Sequence, residues 1–89
     1  MDGPWEADAH ASMKRRLGKS MVELGGTTAQ NGCPDIWELD NGDIAVIGRD
    51  LTSDYAKRLP HGVTVRDDER IVILPREMLV EAAPDISRL

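Results

Sequence analysis

The side chains best suited to covalent chemistry in this sequence are one cysteine, Cys33, and two histidines, His10 and His61. A nucleophilic thiol needs a nearby base and a lowered pKa. Neither histidine shares a recognisable motif with Cys33, although Gly32 and Pro34 would place its sulfur at the start of a strand. A lone cysteine is more often a small buried apolar residue. We therefore expect no catalytic residue, and a small thiol-dependent enzyme using Cys33 stays as an alternative.

Carboxylates gather at two predicted turns. The run 67–69 is acidic, but it lacks the alternating ligands of a calcium loop. One cysteine and two isolated histidines give no zinc spacing. Asp40 and Asp43 flank an Asn-Gly turn and would lie opposite each other, but at a hairpin tip the pair would be too exposed for acid–base catalysis. The sequence also has no phosphate-binding or dinucleotide-binding glycine motif, so we expect no metal and no cofactor.

The charge pattern bears on the class of partner. Residues 1–30 hold four acids and four bases, whereas residues 31–89 hold twelve acids and seven bases, which accounts for the net charge of −5. An acidic domain repels phosphate backbones and anionic lipids, so we expect no direct nucleic-acid binding and no membrane binding. The one basic cluster, Lys14-Arg15-Arg16 with Lys19, is interpreted as the solvated side of a helix. The favoured partner is a protein with a basic face.

Length and composition predict one small domain. The chain has 89 residues with no Phe, one Tyr and two Trp, so aliphatic side chains must form a thin core. The single cysteine, Cys33, forms no internal disulfide, which is typical of a reducing compartment. We see no signal peptide and no stretch near the roughly 20 apolar residues that span a bilayer. These features predict a cytoplasmic protein.

The first part of the chain has a helical pattern. Apolar residues recur at steps of three or four over residues 1–24, namely Trp5, Ala9, Met13, Leu17, Met21 and Leu24. Gly18 costs about 1 kcal/mol in a helix, which favours a shorter helix over residues 11–24 and leaves disorder of the first dozen residues as an alternative. Residues 25–34 are typical of a linker. We therefore predict a helical or partly disordered segment over residues 1–30 and a single α+β domain over residues 31–89.

A β-hairpin is the clearest local signal. Asn41-Gly42 lies between strand-like runs at residues 35–40 and 43–48, and a two-residue loop would fix their register. The opposed pairs would then be Leu39 with Ile44, Trp37 with Val46, and Ile36 with Ile47. This register predicts one face that carries Trp37, Leu39, Ile44 and Val46. It predicts a second face that carries Ile36, Glu38, Ala45 and Ile47.

The remaining elements complete an α+β fold. The spacing of Leu51, Tyr55 and Leu59 predicts a short helix of about two turns, capped by Thr52 or Ser53 and ended by Pro60. Residues 63–65 predict a weak strand, and residues 70–74 predict a strand covered on both faces. A helix should run from 76 to about 83, end at Pro84, and bury a stripe of Leu79, Ala82 and Ala83. The fold class is α+β, with a small, mostly antiparallel sheet packed with a C-terminal helix, and an N-terminal helix is a second candidate to cover the sheet.

The predicted sheet has more apolar strand surface than one short chain covers. We therefore interpret the protein as a non-enzymatic interaction protein, with Ile36, Trp37 and Ile47 as partner-binding residues. Tryptophan is enriched at interface hot spots, which favours Trp37 most. The alternative is a structural homodimer whose sheet faces pack together. A small-molecule binder would need a pocket, and the sequence indicates none.

Four features lie along residues 32–83: Cys33-Pro34, an acidic glycine turn at residues 40–43, a second strand at 44–48 that ends in glycine, and an apolar strand running into a proline-started helix at 71–79. In these features the segment resembles small uncharacterised actinobacterial proteins. Such proteins are often accessory partners of helix-turn-helix regulators that are encoded beside them. The resemblance therefore implies a regulatory or antitoxin-like role without enzymatic activity.

Overall fold

The computed structural model describes residues 4–25 and 34–89. Its elements, in chain order, are β1 (Met13–Arg16), β2 (Asp35–Leu39), β3 (Ile44–Ile47), β4 (Arg49–Asp50), α1 (Thr52–Tyr55) with a 3₁₀ turn (Ala56–Arg58), β5 (Val72–Ile73) and α2 (Arg76–Ser87). One sheet has the order β1-β2-β3, and β4 pairs with β5 in a second sheet. Every strand pairing is antiparallel. The predicted α+β fold class is confirmed.

The N-terminal helix predicted over residues 1–24, or 11–24, is wrong. β1 pairs with β2, so residues 13–16 belong to the sheet. Gly18 follows with φ +69°, a left-handed conformation that a continuous helix does not contain. Charge explains why pairing overrides the helical spacing, because the bases of β1 lie beside the acids of β2. The predicted boundary between residues 30 and 31 separates β1 from its sheet partner.

The hairpin between β2 and β3 forms, but its predicted register is wrong by one residue. The Leu39 N–H donates to the Asp43 carbonyl at 2.9 Å, and the Gly42 N–H donates to the Leu39 carbonyl at 3.0 Å. The loop therefore has three residues, 40–42, with Gly42 at φ +90°. This matches a type I turn followed by a left-handed glycine, the usual form of a three-residue hairpin loop.

The extra loop residue exchanges the faces of β3 relative to β2. Ile36 lies opposite Val46, and Trp37 lies opposite Ala45, instead of Ile47 and Val46 as predicted. We call one side the core face, and it carries Ile36, Glu38, Ile44 and Val46. We call the other side the open face, and it carries Met13, Arg16, Asp35, Trp37, Leu39, Ala45 and Ile47.

The hydrophobic core lies between the core face and α2. Its buried members are Leu17, Ile36, Met78 and Ala82, and Met21, Leu24 and Leu74 pack against them. Met78 and Ala82 are four residues apart, so they share one side of α2. The predicted stripe is therefore correct only at Ala82, because Leu79 is 50% exposed and Ala83 is also exposed.

The predicted end of α2 at Pro84 is also wrong, since the helix continues to Ser87 with the proline inside it. A proline removes one helical hydrogen bond, so other contacts must hold the last turn. The Asp85 carboxylate accepts a hydrogen bond from the Gly18 N–H at 2.7 Å. The Ser87 hydroxyl donates to the Ala83 carbonyl at 3.0 Å. These two contacts join the end of α2 to the chain after β1 and to its own preceding turn.

The short helix predicted over residues 51–59 is present as α1 and its 3₁₀ turn. Its first turn is supported by Asp50 rather than by the predicted caps, because the Asp50 carboxylate accepts the Thr52 N–H at 3.0 Å and its hydroxyl at 2.6 Å. Residues 63–65 form no strand. The strand predicted over 70–74 is only the two-residue β5, where Ile73 is 37% exposed rather than covered. Neither helix of the described residues has the length and apolar character needed to cross a membrane.

Candidate binding surface

The open face of the three-stranded sheet has no covering helix in the described part of the chain. The buried residues of α2 belong to the same core as Ile36, which places this helix on the other side of the sheet. On the open face Met13 is 48% and Ile47 is 47% exposed, and Trp37 is half-buried. Apolar side chains that stay this accessible next to an aromatic ring are typical of an interaction site.

Three side chains at the centre of the open face are locked together, and we call them the Arg16 cluster: Arg16, Asp35 and Trp37. The Arg16 guanidinium donates two hydrogen bonds to the Asp35 carboxylate, from Nε at 2.9 Å and from Nη2 at 2.8 Å. The same guanidinium carbon lies 5.1 Å from the centre of the Trp37 ring. A bidentate ion pair that also stacks on an aromatic ring fixes all three side chains in one arrangement.

The ionisation of the Arg16 cluster follows from these contacts. Burial raises the pKa of the Asp35 carboxyl, but hydrogen bonds from Arg16 and Trp37 and the positive charge of Arg16 outweigh it, so the pKa lies below its ordinary value. The hydrogen bond to Asp35 raises the pKa of Arg16 against the opposing effect of its own burial. The pair is therefore ionised at neutral pH and contributes no net charge to the open face.

The predicted partner-binding residues do not form one surface. Trp37 and Ile47 both lie on the open face, two positions apart across the β2–β3 pairing. Ile36 lies on the opposite side and is 1% exposed in the core, so it is wrong as an accessible contact. The error follows directly from the register, because the three-residue loop moves Ile47 away from the face that carries Ile36.

The outer edge of β3 is a second accessible apolar feature. Ile44 and Val46 lie on the core face but are 37% and 41% exposed, since α2 packs on β2 rather than on β3. Ile47 projects to the open face from the same strand. β3 therefore exposes apolar side chains on both sides of the sheet.

The basic cluster predicted as a solvated helix face is paired with acids instead. Arg15 and Lys14 lie 2.9 Å and 4.0 Å from the Glu38 carboxylate. Lys19 lies 3.9 Å from Glu81 on α2. Together with the ion pair of Arg16, every base of the cluster has an acidic neighbour. These four basic residues stabilise the sheet and its contact with α2, and they offer little uncompensated positive charge for a phosphate backbone.

The two carboxylates at the hairpin tip hold the chain that precedes β1. Asp40 accepts the Ser12 N–H at 3.1 Å. The Asp43 carboxylate accepts hydrogen bonds from the Trp5 indole N–H at 3.2 Å and from the side-chain amide of Asn41 at 3.4 Å. The prediction that Asp40 and Asp43 lie opposite each other is wrong, because Asp43 pairs with Leu39. Their hydrogen bonds give both acids a structural role at the tip.

The residues considered for catalysis or metal binding do not come together in the described chain. Cys33 lies outside the described residues, and both His10 and His61 are exposed. Residues 4–25 and 34–89 contain no group of three or more histidine, cysteine or acidic side chains placed to hold a metal ion. In the acidic run at residues 67–69, Glu69 accepts the Arg66 N–H at 2.9 Å, which is the hydrogen bonding of a tight turn.

An open hollow of about 340 Å³ lies between the β4–β5 sheet and the start of α2, and the sequence did not indicate it. Its lining is Pro34, Arg49, Leu51, Ile73, Leu74 and Pro75. Only one of these side chains is charged, so the hollow lacks the converging polar groups that orient a small ligand. It is therefore a weaker candidate than the sheet.

Sequence reasoning missed Arg16, Asp35 and Met13 as parts of the surface. The signal was present in the charges, because three consecutive bases at residues 14–16 match the acids Asp35 and Glu38 of the hairpin. Complementary charges in two short segments are typical of neighbouring strands. The helical spacing of the apolar residues obscured that interpretation.

Relatives of known function give no independent support to any of these surfaces. A comparison of the chain with protein families, with curated proteins and with solved structures finds no match, so its function has to be inferred from the geometry above.

Proposed function

We propose that this protein acts without catalysis, by binding another protein through its open face. Its role would be regulatory, as an accessory to a transcription regulator, which is what the resemblance of residues 32–83 implies. One observation supports this most strongly. The longest helix of the described chain covers the core face, while Met13, Trp37 and Ile47 stay accessible on the other side of the same sheet.

The Arg16 cluster prepares Trp37 for binding. A side chain that is already fixed loses little conformational entropy when a partner docks, so less of the free energy gained by burying it is offset. Trp37 is held by its stacking on Arg16, and Arg16 is held by Asp35. Met13 and Ile47 extend the apolar area around it, which is the arrangement of an aromatic anchor with an apolar surround.

The charge of the chain favours a partner with a basic face. The net charge is −5, and the bases at residues 14–19 are already paired with acids. Long-range attraction of a basic partner would raise the rate of encounter more than the final affinity. We therefore expect binding to slow as ionic strength rises, while the apolar contacts at Trp37 and Ile47 determine how long the complex lasts.

The test uses as its probe a helix-turn-helix regulator, where one is encoded beside the gene, with binding measured by calorimetry on the two purified proteins. We expect Ile47→Gln to weaken binding by about tenfold, because a half-exposed isoleucine that becomes buried contributes roughly 1–2 kcal/mol. Trp37→Ala should weaken it further. Leu79→Gln is the matched control, since Leu79 is an equally exposed apolar residue on α2.

Two results would count against this proposal. The first is that the regulator does not bind and a pull-down from the native host recovers no other partner. The second is that Ile47→Gln and Trp37→Ala bind as tightly as the wild type while Leu79→Gln does not, which would move the site to the helix. Circular dichroism of each variant separates a lost contact from a lost fold.

A further inference from the structure

The two outer strands of the three-stranded sheet differ in how their edges are protected. β1 carries three consecutive bases, and a bulge lies between Met13 and Arg15. Charges and bulges are the usual means by which proteins prevent a further strand from pairing with a sheet edge. β3 has the sequence Ile-Ala-Val-Ile and a regular register, with no charge and no proline. Among the described residues no strand pairs with its outer side, so β3 is an unprotected edge.

The backbone of β3 has free hydrogen-bonding groups along this edge. Leu39 and Asp43 form a hydrogen-bonded pair, and bonded and non-bonded pairs alternate along an antiparallel ladder. Ala45 and Ile47 therefore direct their backbone groups toward β2. Ile44 and Val46 direct their N–H and C=O groups outward, away from β2. Each β3 edge thus offers two donors and two acceptors beside two exposed apolar side chains.

We propose that β3 pairs antiparallel with β3 of a second copy of this chain, with Ala45 opposite the partner's Ala45. Ile44 then lies opposite the partner's Val46, and the outward backbone groups of these residues hydrogen-bond to each other. The three-stranded sheet becomes a continuous sheet of six strands. This dimer uses the edge and not the open face, so it stands whether or not the proposed function does.

The charges at the two ends of β3 favour a second copy over an unrelated strand. Asp43 precedes the strand, and Arg49 follows it after one glycine. Arg49 forms no ion pair with another described residue. Antiparallel pairing brings each end beside the opposite end of the other copy, so Arg49 becomes the diagonal neighbour of the partner's Asp43, within reach of a long side chain. Such a contact occurs twice in a two-fold dimer.

The size of the contact predicts a weak association. A single four-residue strand pairing is small beside the roughly 1,200–2,000 Å² of a stable interface. Both copies also carry a net charge of −5, which opposes their approach. The dimer should therefore dissociate on dilution, and its fraction should rise with protein concentration.

Cross-linking tests the register directly, in a Cys33→Ser background that removes the native thiol. Ala45→Cys would place two thiols in a non-bonded pair across the two-fold axis, at a separation that suits a disulfide. Ile47→Cys is the matched control, because it lies on the same face of the same strand but opposite the partner's Asp43. We expect rapid oxidative dimerisation of the Ala45→Cys variant and slow dimerisation of the control. Equal rates, or a faster control, would overturn the register.

A concentration series in the analytical ultracentrifuge tests the dimer itself. The wild type should approach twice its monomer mass, and Val46→Pro should stay monomeric, because proline removes an outward N–H without breaking the β2–β3 ladder. Val46→Ala keeps that N–H and should still associate. A wild type that stays monomeric at every concentration would overturn the proposal, even if the β3 edge binds a strand of another protein. Association of Val46→Pro at the wild-type level would also overturn it.

A second variant covers the case in which Val46→Pro does not fold. Arg49→Glu lies outside β3 and removes the proposed attraction to the partner's Asp43, so the dimer dissociation constant should rise several-fold. An unchanged dissociation constant for this variant would contradict the charge argument for a second copy. If Ile47→Gln loses regulator binding but keeps the wild-type dimer dissociation constant, the open face and the β3 edge act as independent binding sites.

Discussion

Gly18 lies where the chain leaves β1 and meets α2, and adding one methyl group there should destabilise the whole fold. The residue has φ +69°. A Cβ atom built on it would lie 2.8 Å from the Ala82 backbone nitrogen and 2.9 Å from the Ala82 Cα. These neighbours are main-chain atoms of a helix, so they cannot move aside as a flexible side chain can. Gly18→Ala must therefore displace α2 from the sheet or change the backbone at residue 18.

Two separate costs add up in this variant. A left-handed backbone costs an alanine roughly 1–2 kcal/mol. Forcing an extra carbon into a packed contact costs about 1–3 kcal/mol more. The hydrogen bond from the Gly18 N–H to Asp85, at 2.7 Å, would lengthen as α2 moves. We expect a total loss of about 2–5 kcal/mol, a large share of the stability of a domain of this size.

Gly62→Ala is the matched control, because Gly62 has φ +85° but, apart from its chain neighbours, no residue approaches the corresponding Cβ position within 4 Å. It carries the backbone cost without the contact with α2. Urea denaturation followed by tryptophan fluorescence measures both variants, and a constant m-value shows that the comparison is valid. The difference between the variants isolates the contact and should be about 1–3 kcal/mol. Equal destabilisation by the two substitutions would refute the close approach of Gly18 to α2.

Three further predictions concern the core, the ion pair and the second sheet. Ile36→Ala should cost about 2–5 kcal/mol in urea denaturation, because the side chain is buried, whereas Ile47→Ala should change stability by less than about 1 kcal/mol. The pKa of Asp35 is lower in the folded protein than in the unfolded chain, so its carboxylate stabilises the fold above the unfolded pKa, and this stabilisation is lost as the pH falls through the folded pKa. Asp35→Asn should therefore make the free energy of unfolding fall less steeply as the pH decreases. An unchanged pH dependence would contradict this role of Asp35. Gly48→Ala should disrupt the β4–β5 pairing, since its Cβ would lie 2.8 Å from the Ile73 carbonyl oxygen, and faster amide exchange at Leu51, which bonds to Ile71, is the measurement.

In the hairpin, the local sequence determines the position of the turn but not the register of the two strands. Asn41-Gly42 correctly located the turn, because glycine is needed where φ is positive. Both a two-residue loop and a three-residue loop satisfy that need, and they differ by one residue in register. Choosing between them depends on which face α2 covers, and that information lies about forty residues further along the chain. The face assignments of Ile36 and Ile47 were therefore wrong even though the hairpin itself was right.

In the N-terminal segment the local pattern predicted the wrong element, because contacts with residues distant in sequence outweigh the helical spacing. Met13, Leu17 and Met21 have helical spacing, yet only Leu17 is fully buried. The bases that follow Met13 bond to acids of β2 that lie about twenty residues away. Helix propensity differs by only tenths of a kcal/mol per residue, so several charge-assisted hydrogen bonds in a sheet override it. Arg16 and Asp35 could be found only by considering the two segments together.

The exposed apolar strand is a geometric consequence of covering a sheet with a single helix. A helix is about 10 Å across with its side chains, and strands lie about 4.8 Å apart. α2 contacts β2 and packs on Leu17, which directly follows β1, so it covers this part of the sheet and leaves β3 uncovered. Ile44 and Val46 are left accessible on the core face for this reason, although they point the same way as the buried Ile36. A second copy joined at β3 would bring a second α2 to the same side of the sheet. Ile44 and Val46 of both copies would then lie between two helices. One interface would therefore cover these exposed side chains and pair the unprotected edge of β3.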